Sequence, residues 1–173
     1  AAVRTIESIL IWARKHDAAM AFADRQSKRT GLSVRAVPDP VAVAGSDIIC
    51  TVTAAAEPVL RGEWVKPGTH INLVGSHSLS AREADSELIV RSKVYVDSLT
   101  STTAEAGDIM IPVREGIIDM AHILGEIGQV ASGEIAGRLD DAQITLYKSL
   151  GITAQDLFAA AFVYRRFLSM KFQ

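Results

Sequence analysis

Short apolar, β-prone runs alternate with helix-patterned stretches in this chain, and that alternation limits the folds open to it. Residues 8–12 (Ser-Ile-Leu-Ile-Trp), 33–37, 48–53, 69–74 and 93–97 read as strands. Continuous apolar runs of this length suit strands covered on both faces. Residues 17–30 read as a helix, with Asp17 as N-cap, Ala18, Ala19, Phe22 and Ala23 as the apolar stripe, and Gly31 as the stop. A helical turn follows at 41–44 and a polar amphipathic helix at 81–90. Strands alternating with helices imply βαβ units, hence an α/β fold with a parallel sheet and right-handed crossovers.

Chemistry concentrates after one strand. Pro67 and Gly68 turn into 69–74, and Gly75, Ser76 and His77 leave its carboxyl end. Open parallel sheets bind ligands outside the carboxyl ends of their strands. Beyond Thr103 the spacing becomes helical, through Ile117, Ile118, Ala121, Leu124, Ile127 and Val130, with Gly133 as the stop. Residues 140–148 are mixed in character. A last helix begins at Thr153, and its apolar face (Leu157, Ala160, Ala161, Tyr164, Phe167, Leu168) calls for a packing partner. The sheet, a second domain or another subunit would serve.

Composition narrows the class. With 173 residues the chain can bury one core, and a net charge of -2 offers no basic face for nucleic acid. No apolar run approaches the roughly 20 residues that span a bilayer, and no signal peptide is visible. A single cysteine, Cys50, excludes an internal disulfide and fits a reducing, cytoplasmic setting; within its apolar run it is expected as a small core residue. The four histidines are scattered without metal-ligand spacing, so no metal site is expected. His70 and His122 read as structural rings.

Three co-ordered stretches carry a family resemblance: Glu57-Pro-Val-Leu-Arg-Gly-Glu-Trp64 running into Lys66-Pro-Gly-Thr-His-Ile-Asn-Leu-Val-Gly75; Ile123-Leu-Gly-Glu-Ile-Gly128 with Gly133; and Ile144-Thr-Leu-Tyr-Lys-Ser-Leu-Gly151 followed by Asp156-Leu157. Over essentially its whole length the chain resembles the ornithine cyclodeaminase and mu-crystallin family. The resemblance implies a Rossmann-type, doubly wound parallel sheet that binds a nicotinamide dinucleotide, with C-terminal helices. It also implies a separate substrate and dimerisation domain, and a homodimer built through it. Residues 1–135 would form the dinucleotide domain, and 136–173 a return segment and helix directed toward the other domain.

This chain departs from the family's pattern at two points. The glycine-rich phosphate turn and the first strand of the sheet do not appear in it, nor do the Lys and Arg that hold the substrate. The expectation is therefore a portion of a longer protein, or a gap filled by another segment. Secondly, His77 stands where cyclodeaminases carry an Asp used in proton transfer. An imidazole titrates near neutrality and could act as acid or base.

The resemblance also distributes cofactor roles. Arg14 and Lys15 follow the strand that ends near the adenosine ribose. An NAD-specific site would place a carboxylate there, whereas a guanidinium suits a 2′-phosphate; NADP(H) is expected over NAD(H). Thr51 and Thr53 would let the dinucleotide approach the backbone. Val74 and Gly75 would meet the nicotinamide ribose, Gly75 because it lacks a Cβ. Lys148, Ser149 and Gly151 match the nicotinamide-side loop. Three functions follow as alternatives: a reductase passing hydride from NADPH to a cyclic imine or keto acid, a cyclodeaminase that uses bound NAD catalytically, and a nucleotide-loaded binding protein without turnover. Arg14, and His77 in place of Asp, favour the reductase.

Overall fold

The computed structural model describes residues 4–171. Strand β1 (Ser8–Ile11) pairs in parallel with β2 (Ser33–Ala36), and helix α1 (His16–Thr30) connects them. The Ser27 hydroxyl ties the end of α1 to β2 by bonding both the amide and the carbonyl of Val34 at 3.1 Å. Asp17 does not cap α1. The cap position is Lys15, two residues earlier, and Asp17 lies in the first turn. Helix α2 (Pro40–Ala44) is capped by Asp39, whose carboxylate accepts from the Val41 amide at 2.8 Å.

The main sheet has five parallel strands: β3 (Ile48–Thr51), β4 (His70–Leu73), β5 (Ser92–Val96), β6 (Ile123–Glu126) and β7 (Ile144–Lys148). Their spatial order is β3-β4-β7-β5-β6. Between the strands run α3 (Ser86–Arg91), α4 (Leu99–Glu105), α5 (Gly107–Arg114) and α6 (Ile127–Ser132); α7 (Thr153–Lys171) ends the described chain. One sheet face packs on α3 and α5. Ile71, Leu73, Val94, Val96 and Leu146 from the strands meet Leu88, Ile89 and Ile109 from the helices, all fully buried. Each such side chain stabilises the fold by about 1.5–3 kcal/mol through burial.

The parallel α/β class expected from the alternation is the one observed, with three corrections. First, β7 is the central strand, paired with β4 on one side and β5 on the other. The dinucleotide-domain boundary expected at 135 therefore falls inside the chain that builds the sheet. Second, β6 lies within a stretch that read as helix. Ile123, Ile127 and Val130 keep helical spacing, yet Gly125 takes φ 155, outside any helix, and a Cβ there would sit 2.5 Å from the Ile135 side chain. Third, residues 81–84 are not helical. Asp85 caps α3 by accepting from Leu88 at 2.9 Å, and Ala84 bridges to Leu60 instead.

Strand alternation also decides Cys50. Its neighbours Ile49 and Thr51 point into the core, so Cys50 is exposed on the other face and is not a core residue. Strands β1 and β2 form a separate two-stranded sheet. Among the described residues no strand joins β1 to β3. None of the described helices is long and apolar enough to cross a membrane.

Candidate functional site

The carboxyl ends of β3, β4, β7 and β5 lie side by side, and the strand ladders continue one residue past them. The Val74 amide donates to Thr51 O (3.0 Å), Ser149 to Leu73 O (2.9 Å) and Asp97 to Lys148 O (3.2 Å). This brings Thr51, Thr53, Val74, Gly75, Lys148, Ser149 and Gly151 to one edge.

Buried carboxylates organise that edge. Glu83 is fully buried. It accepts from the Thr51 hydroxyl at 2.6 Å, the Thr53 amide at 2.5 Å and the Gly75 amide at 2.8 Å, joining the exit turns of β3 and β4. The turns are so close that a Cβ on Gly75 would lie 2.1 Å from Thr53 O and 2.4 Å from Glu83 Oε1. Packing within the protein thus requires this glycine, a reason beyond ligand approach. Asp97, at the exit of β5, accepts from the amides of Leu150 (2.6 Å) and Gly151 (2.7 Å) and from the Ser149 hydroxyl (3.3 Å). It thereby holds the loop after β7.

Lys148 and Asp108 are buried completely, with Nζ 3.0 Å from Oδ2. That ion pair is the contact of Oδ2, which has no hydrogen bond. Oδ1 accepts from the amides of Glu83 (2.6 Å) and Ala84 (3.0 Å). The ammonium also donates to Ser76 O at 2.7 Å. Lys148, expected to touch cofactor, therefore points inward. Its contribution to the edge is to hold the turn that carries His77.

The outward groups differ in character. Val52 is 71% exposed and Val74 36%, so apolar surface lies bare where β3 and β4 end. His77 is exposed, beside Ser76, whose hydroxyl donates to Ala81 O at 2.7 Å. The Thr53 hydroxyl oxygen accepts from Ala55 N at 3.2 Å. Arg14 and Lys15 leave β1, in the smaller sheet, as exposed cations. No carboxylate of the described residues pairs with either.

The other histidines are engaged elsewhere. His70 opens β4 at the opposite end of the strand from Gly75, with Nδ1 2.8 Å from the Thr145 hydroxyl. Burial holds its pKa below the ordinary imidazole value. The His122 ring donates from Nε2 to Ile89 O at 2.8 Å.

Sequence reasoning passed over Glu83, Asp97 and Asp108. Glu83 sat in a stretch that read as a polar helix, where a carboxylate faces water. Asp97 did carry a signal, being an acidic residue at a strand exit. Asp108 carried none, because only the tertiary fold pairs it with Lys148.

The profile of the ornithine cyclodeaminase/mu-crystallin family matches residues 1–171. The Delta(1)-pyrroline-2-carboxylate reductase of Bacillus cereus is 38% identical over 169 residues, 96% of this chain and 52% of the reductase. The ketimine reductase mu-crystallin of Mus musculus is 43% identical over 130 residues, 75% of this chain and 39% of its own. Among solved structures, the Thermococcus litoralis Delta(1)-pyrroline-2-carboxylate reductase in complex with NADH and L-proline superposes with a TM-score of 0.92 at 39% identity. That match covers 98% of this chain and 53% of the other. The chain spans about half the length of the relatives it matches.

Proposed function

Because the chain belongs to the ornithine cyclodeaminase/mu-crystallin family, we propose that it is the nucleotide-binding portion of a reductase that uses NADPH to reduce a cyclic imino acid or a keto acid. The bound nucleotide would supply hydride; the protein supplies the seat. The observation that carries this reading is the convergence of Thr51, Thr53, Val74, Gly75, Ser149 and Gly151 on adjacent strand exits. Relatives named as reductases of a cyclic imino acid support the substrate class.

The donor set fits a dinucleotide. Bare Val52 and Val74 offer apolar surface to a flat ring, and the unpaired Arg14 and Lys15 offer charge to phosphate. We assign the preference for NADP(H) to these two cations and proton transfer to the exposed His77. The exposed apolar side chains of α7, Leu157, Phe158 and Phe162 among them, support docking on a substrate and dimerisation domain. The unpaired, exposed thiol of Cys50 supports a reducing, cytoplasmic location.

The test uses the natural full-length protein with NADPH and 1-pyrroline-2-carboxylate. Steady loss of reduced-cofactor absorbance is the expected result. Ammonia release from ornithine without net cofactor change would assign a cyclodeaminase, and binding without turnover a carrier. Arg14→Ala should weaken NADPH by roughly tenfold or more, the loss of a charge-assisted contact, and leave NADH unchanged. Equal affinities for the two nucleotides in the unaltered protein would remove the phosphate role.

A further inference from the structure

Glu83 combines full burial with a charge that no cation offsets. Both of its oxygens meet backbone amides, which can only donate, so both act as acceptors, as in an ionised carboxylate. Asp97, at the next exit, is 5% exposed and accepts from the amides of Ser98, Leu150 and Gly151 and from the Ser149 hydroxyl. The one buried ammonium among the described residues, Lys148, is matched by Asp108. No Lys, Arg or His of the described residues lies within ion-pair distance of Glu83 or Asp97. Three buried carboxylates thus face one ammonium behind this edge.

Amide dipoles stabilise such charges without cancelling their field, and in a poorly polarisable interior that field reaches across several ångströms. A cation resting on the edge is then favoured over a neutral group of the same shape. The nicotinamide ring is such a pair: a pyridinium cation when oxidised, a neutral dihydropyridine when reduced.

We propose that Glu83, assisted by Asp97, biases the edge toward the oxidised, cationic ring and so makes the bound reduced nucleotide a stronger hydride donor. This rests on the reading that the nicotinamide lies on this edge. In the proposed reduction the imine carbon would gain hydride and the imine nitrogen a proton delivered through His77 and replaced from water. The positive charge that would then develop on the ring is the charge that the field of Glu83 and Asp97 would favour. Glu83 is a positioning residue in this account: it touches Thr51, Thr53 and Gly75, and acts on the ring through its field.

The test is equilibrium titration of the full-length protein with NADP+ and NADPH, repeated with NAD+ and NADH, because the effect resides in the ring. The quantity read is the ratio of oxidised to reduced dissociation constants. Glu83→Gln and Asp97→Asn should each raise that ratio, on the order of tenfold for one unscreened charge, equivalent to about 30 mV for a two-electron couple. Glu83→Asp keeps the charge and shortens the reach; it should weaken both forms and leave the ratio in place. A ratio unchanged within twofold in both neutral variants, while nucleotides still bind, would overturn the proposal and leave the site standing. Failure of the unaltered protein to bind any of the four nucleotides would overturn the site assignment itself, and the proposal with it. Should Glu83→Gln not fold, Asp97→Asn decides the matter alone.

Discussion

At the scale of single residues, the pair of Lys148 and Asp108 shows how much of this edge is held from inside. Both are shielded from water, and the ammonium reaches Ser76 O as well as the carboxylate. Removing one partner leaves the other charge buried and alone, which costs about 3–5 kcal/mol. Lys148→Met should therefore lower stability by that amount in denaturant titration, while Lys148→Met with Asp108→Asn, which removes the charge and keeps an acceptor for the amides of Glu83 and Ala84, should recover much of the loss. His70 gives a second prediction. Burial lowers its folded-state pKa beneath the ordinary 6.5, so below that value the unfolded chain binds the proton more readily. Stability should be fully present above pH 6.5 and fall as pH drops toward the folded-state pKa. Replacing His70 with Asn, which keeps an acceptor for Thr145, should flatten that slope in a pH series of unfolding curves. Glu83 and Asp108 could not be singled out in the sequence, because a carboxylate's partners are set by which loops the fold brings beside it.

Elements divide into those whose local pattern agrees with their place and those whose place overrides it. Helix α1 and strand β4 follow their patterns closely. Strand β7 does not announce itself: Ile144-Thr-Leu-Tyr-Lys alternates and follows a polar turn, yet pairing on both sides makes it central. Strand β6 is four residues long, too short for periodicity to distinguish from a helix. Helix α7 is the opposite case, since its apolar residues were legible and remain exposed: Phe158 is 76% and Phe162 64% exposed. Such a surface exceeds the scattered exposure normal for a soluble fold. Changing Phe158 and Phe162 to Ser should leave the melting temperature of residues 1–173 within a few degrees of the parent's. In the full-length protein the same changes should weaken domain docking or subunit association, read by analytical ultracentrifugation. Unchanged association would show that these rings do not face the partner.

For the whole molecule, the division into a two-stranded and a five-stranded sheet sets the distribution of stability. The unit of β1, α1 and β2 buries Ala19, Ala23 and Val34, whereas the larger sheet buries a continuous layer of Ile, Leu and Val. Two strands and one helix with so small a core are marginal alone. Amide exchange in β1 and β2 should be much faster than in β4 and β7, measured on residues 1–173 without nucleotide. Equal protection would mean that the two sheets unfold as one. The sequence alone determined the parallel α/β class, the family, and the ends of β3, β4 and β5 that meet at the candidate edge. Those properties depend on local spacing and on motifs that survive in one dimension. Tertiary structure alone decided that β7 is central, that Cys50 faces outward, that Lys148 points inward, and that Glu83 ties two turns together. Each of these depends on contacts between residues far apart in the chain, where burial and hydrogen bonding, rather than local propensity, choose the neighbour.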